Sequence, residues 1–148
     1  MKMNIECIRD VMLWLEENIS IESVDGRPIT TSINWAVIYN SEELLNKREQ
    51  ADIQYAILNL LEGGMIHADK NSRLPDGTFK MLSIDDITWQ GHEFLNSIRS
   101  EPIWKSVMKT AKKMNIVTVK ALMSLCSTAI QSLAQDPAII KVVLENIQ

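Results

Sequence analysis

The sequence has few residues that interrupt regular structure: 148 positions hold only 5 Gly and 4 Pro. No stretch therefore reads as a flexible linker or low-complexity tail, and no internal repeat is present. Long apolar runs are also missing. The most apolar segment, Ala36-Val37-Ile38, is far too short to cross a bilayer. The opening Met1-Lys2-Met3-Asn4-Ile5-Glu6 lacks the apolar stretch of a signal peptide. A soluble cytoplasmic protein without membrane contact is the expectation.

Residues that bind metals are scarce: two cysteines, Cys7 and Cys126, and two histidines, His67 and His92. Both cysteines fall on apolar helical stripes, so buried free thiols are expected rather than a metal or redox pair. His92 precedes Glu93, but Asn96 stands where a zinc-protease helix needs its second histidine. Neither a metal nor a cofactor is expected. No grouping supplies a nucleophile, an activating base and a stabilising hole together. Gly63-Gly64 lacks the spacing of a phosphate-cradling loop. These absences argue against an enzyme and for a protein that works by binding.

What is present is enough apolar material for a core: 46% of residues are hydrophobic and 23% charged. That suits one small domain with an extension. The net charge of −4 is unevenly spread. Residues 1–64 hold 5 Lys/Arg against 11 Asp/Glu, and residues 65–100 hold 4 against 5. Residues 101–148 reverse the sign, with 6 against 3. Any polyanion contact is therefore expected in the middle or the tail.

The spacing of Ile5, Ile8, Met12, Leu15 and Ile19 predicts a first helix, capped by Asn4 and fading near Asn18. Asp25-Gly26-Arg27-Pro28 is a turn signal. Ile33, Trp35, Val37 and Tyr39 alternate, which predicts a short strand. Ser41 reads as the cap of a brief helix through Leu44 and Leu45. Ile53, Ala56, Ile57, Leu60 and Leu61 predict a longer helix that ends at Gly63-Gly64. Met65 to Ala68 reads as a strand, Pro75-Asp76-Gly77-Thr78 as a turn, and Phe79 to Leu82 as a second strand with Ile84 to Ile87 leading onward.

Thr88 is placed to cap a helix from Trp89 to Ser100, with Phe94, Leu95 and Ile98 facing inward. Pro102 opens another helix, whose stripe is Ile103, Trp104, Val107, Met108, Ala111 and Met114. Leu122, Leu125, Cys126, Ala129, Ile130 and Leu133 predict a further one. Asp136-Pro137 starts a last helix with Ile139, Ile140, Val143, Leu144 and Ile147. The expected fold class is α+β, mainly α: a winged helix-turn-helix with a small β wing over residues 1–100. A helical C-terminal extension over 101–148 follows, which packs or oligomerises.

Three blocks carry a resemblance: Ile5 to Glu16, Tyr55 to Ile66, and Thr88-Trp89-Gln90-Gly91-His92-Glu93-Phe94-Leu95 with the residues to Arg99 and Trp104-Lys105. Over about residues 5–120 the chain resembles an uncharacterised phage and prophage winged-helix family of unknown function. That family usually has Glu where Gln90 stands and His where Ala56 stands. The resemblance implies a winged helix and a mobile-element origin; it implies no activity and no catalytic residues.

Two function classes stand. One is a DNA-binding winged-helix regulator of a mobile element, put first on fold analogy. The other is a protein-interaction module that modulates a host or phage protein without binding DNA. For duplex DNA, the candidate phosphate contacts are Lys70, Arg73 and Lys80 around the wing turn, and Lys105, Lys109, Lys112 and Lys113, which share one helix face. Gln54, Tyr55 and Asn59 are the candidate base-reading residues. Glu49, Asp52 and Glu62 on the same helix would repel phosphates.

The remaining expectations concern burial and assembly. Trp14 and Trp104 are expected in the core, Trp89 over the wing, and Trp35 is undetermined; burial should account for three of the four. His92 is expected to hold the fold by hydrogen-bonding the wing or the first helix. The apolar last helices predict a homo-oligomer through residues 117–148.

Overall fold

The computed structural model describes residues 2–68 and 82–133, with the single positions 141 and 145. The chain divides into two compact units, residues 1–92 and 93–148. Its architecture is α+β and mainly α.

In the first unit, α1 (Ile5–Asn18) starts where the Asn4 side chain accepts the Cys7 N–H at 3.1 Å. The cap satisfies one of the amides that a helix start leaves open. Cys7, Ile8, Val11, Met12 and Leu15 form its fully buried stripe. α1 packs on α4 (Gln50–Glu62), whose inward residues are Ile53, Ala56, Ile57 and Leu60. Each such aliphatic side chain contributes about 1.5–3 kcal/mol when buried. Arg48, just before α4, adds a polar clamp. Its Nε lies 2.7 Å from Asp10 and its Nη2 3.7 Å from Glu6, both on α1. Partial burial works against the Arg48 charge, but the hydrogen bond and charge of Asp10, helped by Glu6, outweigh it and raise the guanidinium above its usual range.

After α1, β1 (Ile21–Val24) and β2 (Arg27–Thr30) pair antiparallel, Val24 opposite Arg27. The two-residue loop has positive φ at both Asp25 (52°) and Gly26 (75°), the type I′ geometry that matches strand twist. Only its turn is legible in the sequence. The ribbon is exposed on both faces, so burial imposes no alternation on it.

The strand expected through Tyr39 is a correction. β3 covers only Ile33–Asn34. The Asn34 side chain then accepts the Ala36 N–H at 2.8 Å and turns the chain into α2 (Trp35–Tyr39). The alternation misleads because the buried residue is Ile38, while Val37 is 56% exposed. The short α3 (Glu42–Leu45) follows Ser41 as expected, though without a side-chain cap bond.

A three-stranded antiparallel sheet has the order β3-β5-β4, with β4 at Ile66–Ala68 and β5 at Ser83–Ile87. β5 begins beyond the Phe79 to Leu82 segment expected to form the second strand; residues 79–81 lie outside the described residues. Register is held by burial of Ile66, Ile84 and Ile87, and by His67, whose Nδ1 donates to Asp86 across the strands at 2.5 Å.

α5 (Trp89–Ile98) begins at a tight junction. The Thr88 hydroxyl accepts the Gly91 N–H at 2.9 Å and donates to the Gly64 carbonyl at 2.6 Å. The Thr88 N–H donates to the Met65 carbonyl at 3.0 Å. Gly64 takes φ 75° just past α4, as a helix-ending glycine should. At Gly91 a Cβ would collide with the Met65 carbonyl oxygen and lie 2.6 Å from Ile87 Cγ2. His92 is the second correction: its side chain is exposed, on the side of α5 opposite the buried Phe94, Leu95 and Ile98. Thr88 and Gly91 supply the hold expected of it.

In the second unit, Ser100 precedes α6 (Glu101–Met114), with Pro102 in its first turn, and Asn115 ends it at φ 53°. Thr118 accepts the Ala121 N–H at 3.1 Å and opens α7 (Val119–Leu133). α6 and α7 pack together, burying Ile103, Trp104, Val107, Ala111, Val119, Leu122 and Cys126. The last helix expected from Pro137 lies outside the described residues, save that positions 141 and 145 are helical.

Trp14 and Trp104 are in the core as expected; the third correction is Trp89, and with it the count of three buried tryptophans. Trp35 is half-buried with its ring edge-on to Tyr39 at 5.3 Å, and Trp89 is 80% exposed. Trp89 precedes Gly91 by two residues, so it points away from the face that packs on Met65.

Gly91→Ala should destabilise the protein by about 1–3 kcal/mol through overpacking, and Thr88→Ala by about 1–2 kcal/mol through loss of the cap. His92→Ala should stay within about 0.5 kcal/mol of the parent, as surface changes do. Thermal melts of the three variants check this order.

Cys7 and Cys126 are fully buried free thiols. Burial pushes both up from 9.0 to about 12; at Cys7 the Arg48 charge opposes this while Asp10 and Asp52 add to it. A thiol that holds its proton more tightly when folded stabilises the fold below its unfolded value and stops doing so as pH climbs through its folded one. Stability should therefore fall between about pH 9 and 12. Replacing both cysteines by Ala should flatten that decline in denaturant titrations across the range.

Candidate functional site

α6 carries the most concentrated charge. Lys105, Lys109, Lys112 and Lys113 are all exposed, while Ile103, Trp104, Val107 and Ala111 on the other side are buried. The 3.6-residue repeat produces this: steps of four, three and one keep the lysines on one side. Lys112 and Lys113 also sit in the last turn, where cations complement the helix dipole. Lys120, near the start of α7, is exposed as well. From Pro102 to Gln135 the sequence has five lysines and no carboxylate. Among the described residues, none of the four α6 lysines has an ion-pair partner. At 1.5 Å rise per residue, successive i, i+4 lysines stand about 6 Å apart along the axis. The face can therefore meet a row of anionic groups.

Gln54, Tyr55 and Asn59 are placed differently from the expectation. They and Asp52 are half-buried rather than exposed. α4 packs against α1, α2 and β4, which cover more of its circumference than a single apolar stripe suggests. The Asn59 amide nitrogen is buried and has no hydrogen-bond partner among the described residues. The residues of α4 that do reach solvent are Gln50, Ala51 and Glu62. Of the two cations that precede it, Arg48 is turned toward Asp10 and Glu6 of α1. Lys70, Arg73 and Lys80 lie outside the described residues, in the segment that joins β4 to β5.

A groove that the residue order does not announce lies between α1 and α3. Asp10, Leu13, Trp14 and Glu17 line one wall and Glu43, Leu44 and Lys47 the other, around about 180 Å³. Trp14 and Leu44 form its buried floor, while Glu17 and Glu43 are exposed at its rim. The available signal was the spacing of Asp10, Leu13, Trp14 and Glu17, which sets two carboxylates beside an aromatic ring on one helix face.

Among the described residues, no group of three or more His, Cys, Asp or Glu side chains is placed to hold a metal ion. Among them, too, no helix is long and apolar enough to cross a membrane. The arrangement offers chemistry of charge and surface: a cationic helix face in one unit and a carboxylate-rimmed groove in the other.

No curated protein and no solved structure matches the chain. Residues 2–117 match the family described as "Hypothetical protein (DUF2513)". The matched span runs from before α1 to beyond α6 and includes both the Thr88–Gly91 junction and the lysine face, and the chain belongs to this family.

Proposed function

We propose that this chain is a non-catalytic, cytoplasmic, duplex-DNA-binding regulator carried by a phage or other mobile element. Its first unit is read as a winged helix and its lysine face on α6 as the main phosphate contact. The observation that carries the reading is the row Lys105, Lys109, Lys112 and Lys113, exposed and unopposed by any carboxylate from Pro102 to Gln135. Neutralising phosphates supplies most sequence-independent affinity for DNA. The winged-helix reading is supported by the sheet order β3-β5-β4, with α2 to α4 inserted between the first two strands in sequence. In that reading the segment between β4 and β5 is the wing, and Lys70, Arg73 and Lys80 are secondary phosphate contacts. The acidic, half-buried α4 then takes little part in reading bases through Gln54, Tyr55 and Asn59.

A second reading, a protein-interaction module acting on a host or phage protein, is favoured by that same α4. A recognition helix flanked by Glu49, Asp52 and Glu62, with Arg48 committed to α1, is poorly suited to DNA.

Binding to random-sequence duplex DNA across a salt series separates the two. The parent should bind more weakly as salt rises, and replacing the four α6 lysines by Gln should lower the log–log slope by about 3.6, at 0.9 per phosphate contact. Replacing Lys70, Arg73 and Lys80 by Gln should lower it less. Absence of binding by the parent at low salt would overturn the DNA reading and leave the interaction module.

A further inference from the structure

We propose that the groove between α1 and α3 is a docking site for the lysine face of α6 from a second copy of this chain. The inference goes beyond DNA binding and does not depend on it.

Three carboxylates, Asp10, Glu17 and Glu43, line the groove against one cation, Lys47, so its lining suits a long cationic side chain. Its floor is the indole of Trp14 and the side chain of Leu44, and its rim carries the exposed carboxylates of Glu17 and Glu43. A lysine stem can lie on the apolar floor while its ammonium reaches the rim. An indole face also attracts a cation directly. Among the described residues neither Glu17 nor Glu43 has an ion-pair partner. Asp10, deeper in the groove, already has Arg48 at 2.7 Å, so the two rim carboxylates are the ones open to an incoming charge.

Charge complementarity names the occupant. Residues 1–64 carry a balance of −6, whereas Pro102 to Gln135 carry five lysines and no acid. The α6 lysines are exposed and, among the described residues, unpaired. Lys105, Lys109 and Lys113 fall at successive i, i+4 positions, about 6 Å apart. One can therefore enter the groove while a neighbour approaches its rim. A chain that displays both halves of such a contact can exchange them reciprocally with a second copy, giving two equivalent contacts that close into a dimer.

Light scattering on the full chain, free of nucleic acid, tests this. At roughly 0.1 M salt, where screening acts over about 10 Å, the mass should be that of two chains; at roughly 1 M, where it acts over about 3 Å, it should fall toward one. Glu17→Lys with Glu43→Lys should give one chain at low salt, and so should Lys105→Glu, Lys109→Glu, Lys112→Glu and Lys113→Glu combined. Mixing the two charge-reversed proteins should restore the double mass, because each then offers the complement of the other. All the exchanged side chains are exposed, and an unchanged melting curve confirms that each variant folds. A monomeric parent at low salt, or a groove variant that keeps the double mass, would overturn the proposal. The groove variant leaves the α6 lysines intact, so its binding to duplex DNA reports on the DNA reading separately.

Discussion

The first unit depends on the close approach of Gly91 to the Met65 carbonyl. Only a residue without a Cβ fits there, and the fit brings the start of α5 against the chain where α4 passes into β4. Thr88 completes the junction with one hydroxyl used twice, accepting from Gly91 and donating to Gly64. Four elements meet at this point: the end of α4, the start of β4, the end of β5 and the first turn of α5. Thr88 and Gly91 of the Thr-Trp-x-Gly run therefore have a structural cause in capping and backbone geometry. His92, next to it, faces solvent.

A second constraint is the division of charge along the chain. On α4, Asp52 lies in the first turn, where a carboxylate complements the helix dipole, and Arg48 is spent on joining α1 to the α4 start. The acidic character of this region therefore has a structural cause. On α6, Lys112 and Lys113 have the matching cause at a helix end, but Lys105 and Lys109 do not. A lysine row beyond what helix stability requires is the feature that asks for an anionic partner. On the two proposals made above, duplex DNA and the groove of a second copy would compete for it, so nucleic-acid binding and self-association would oppose one another.

Helices with a clean 3.6-residue stripe were legible from the residues alone. α1, α4, α6 and α7 bury the centre of each expected stripe, while Met114 at the end of α6 is exposed and Ile5, Ile19, Met108, Leu125, Ala129 and Ile130 are half-buried; Asn4, Gly64 and Pro102 mark ends of α1, α4 and α6, and Thr88 the start of α5. The short elements were not. Residues 33–39 alternate like a strand, yet one hydrogen bond from the Ala36 amide to Asn34 turns the chain into a helix from Trp35. The β1–β2 ribbon is exposed on both faces, so no apolar periodicity announces it. Trp89 was expected over the wing, but its position relative to Gly91 puts it on the outer side, 80% exposed.

Few glycines and prolines leave long uninterrupted helices, and two cysteines far apart in sequence become two separately buried thiols. By itself the sequence determined the helical stripes, the caps and the lysine row, because each depends on neighbours within about one or two turns. Tertiary structure alone decided three things: how much of α4 is covered, which cations are already paired, and that Trp14 and Leu44 floor a groove. These depend on residues far apart in the chain, such as Asp10 and Arg48 or Glu17 and Glu43, whose meeting no local periodicity encodes.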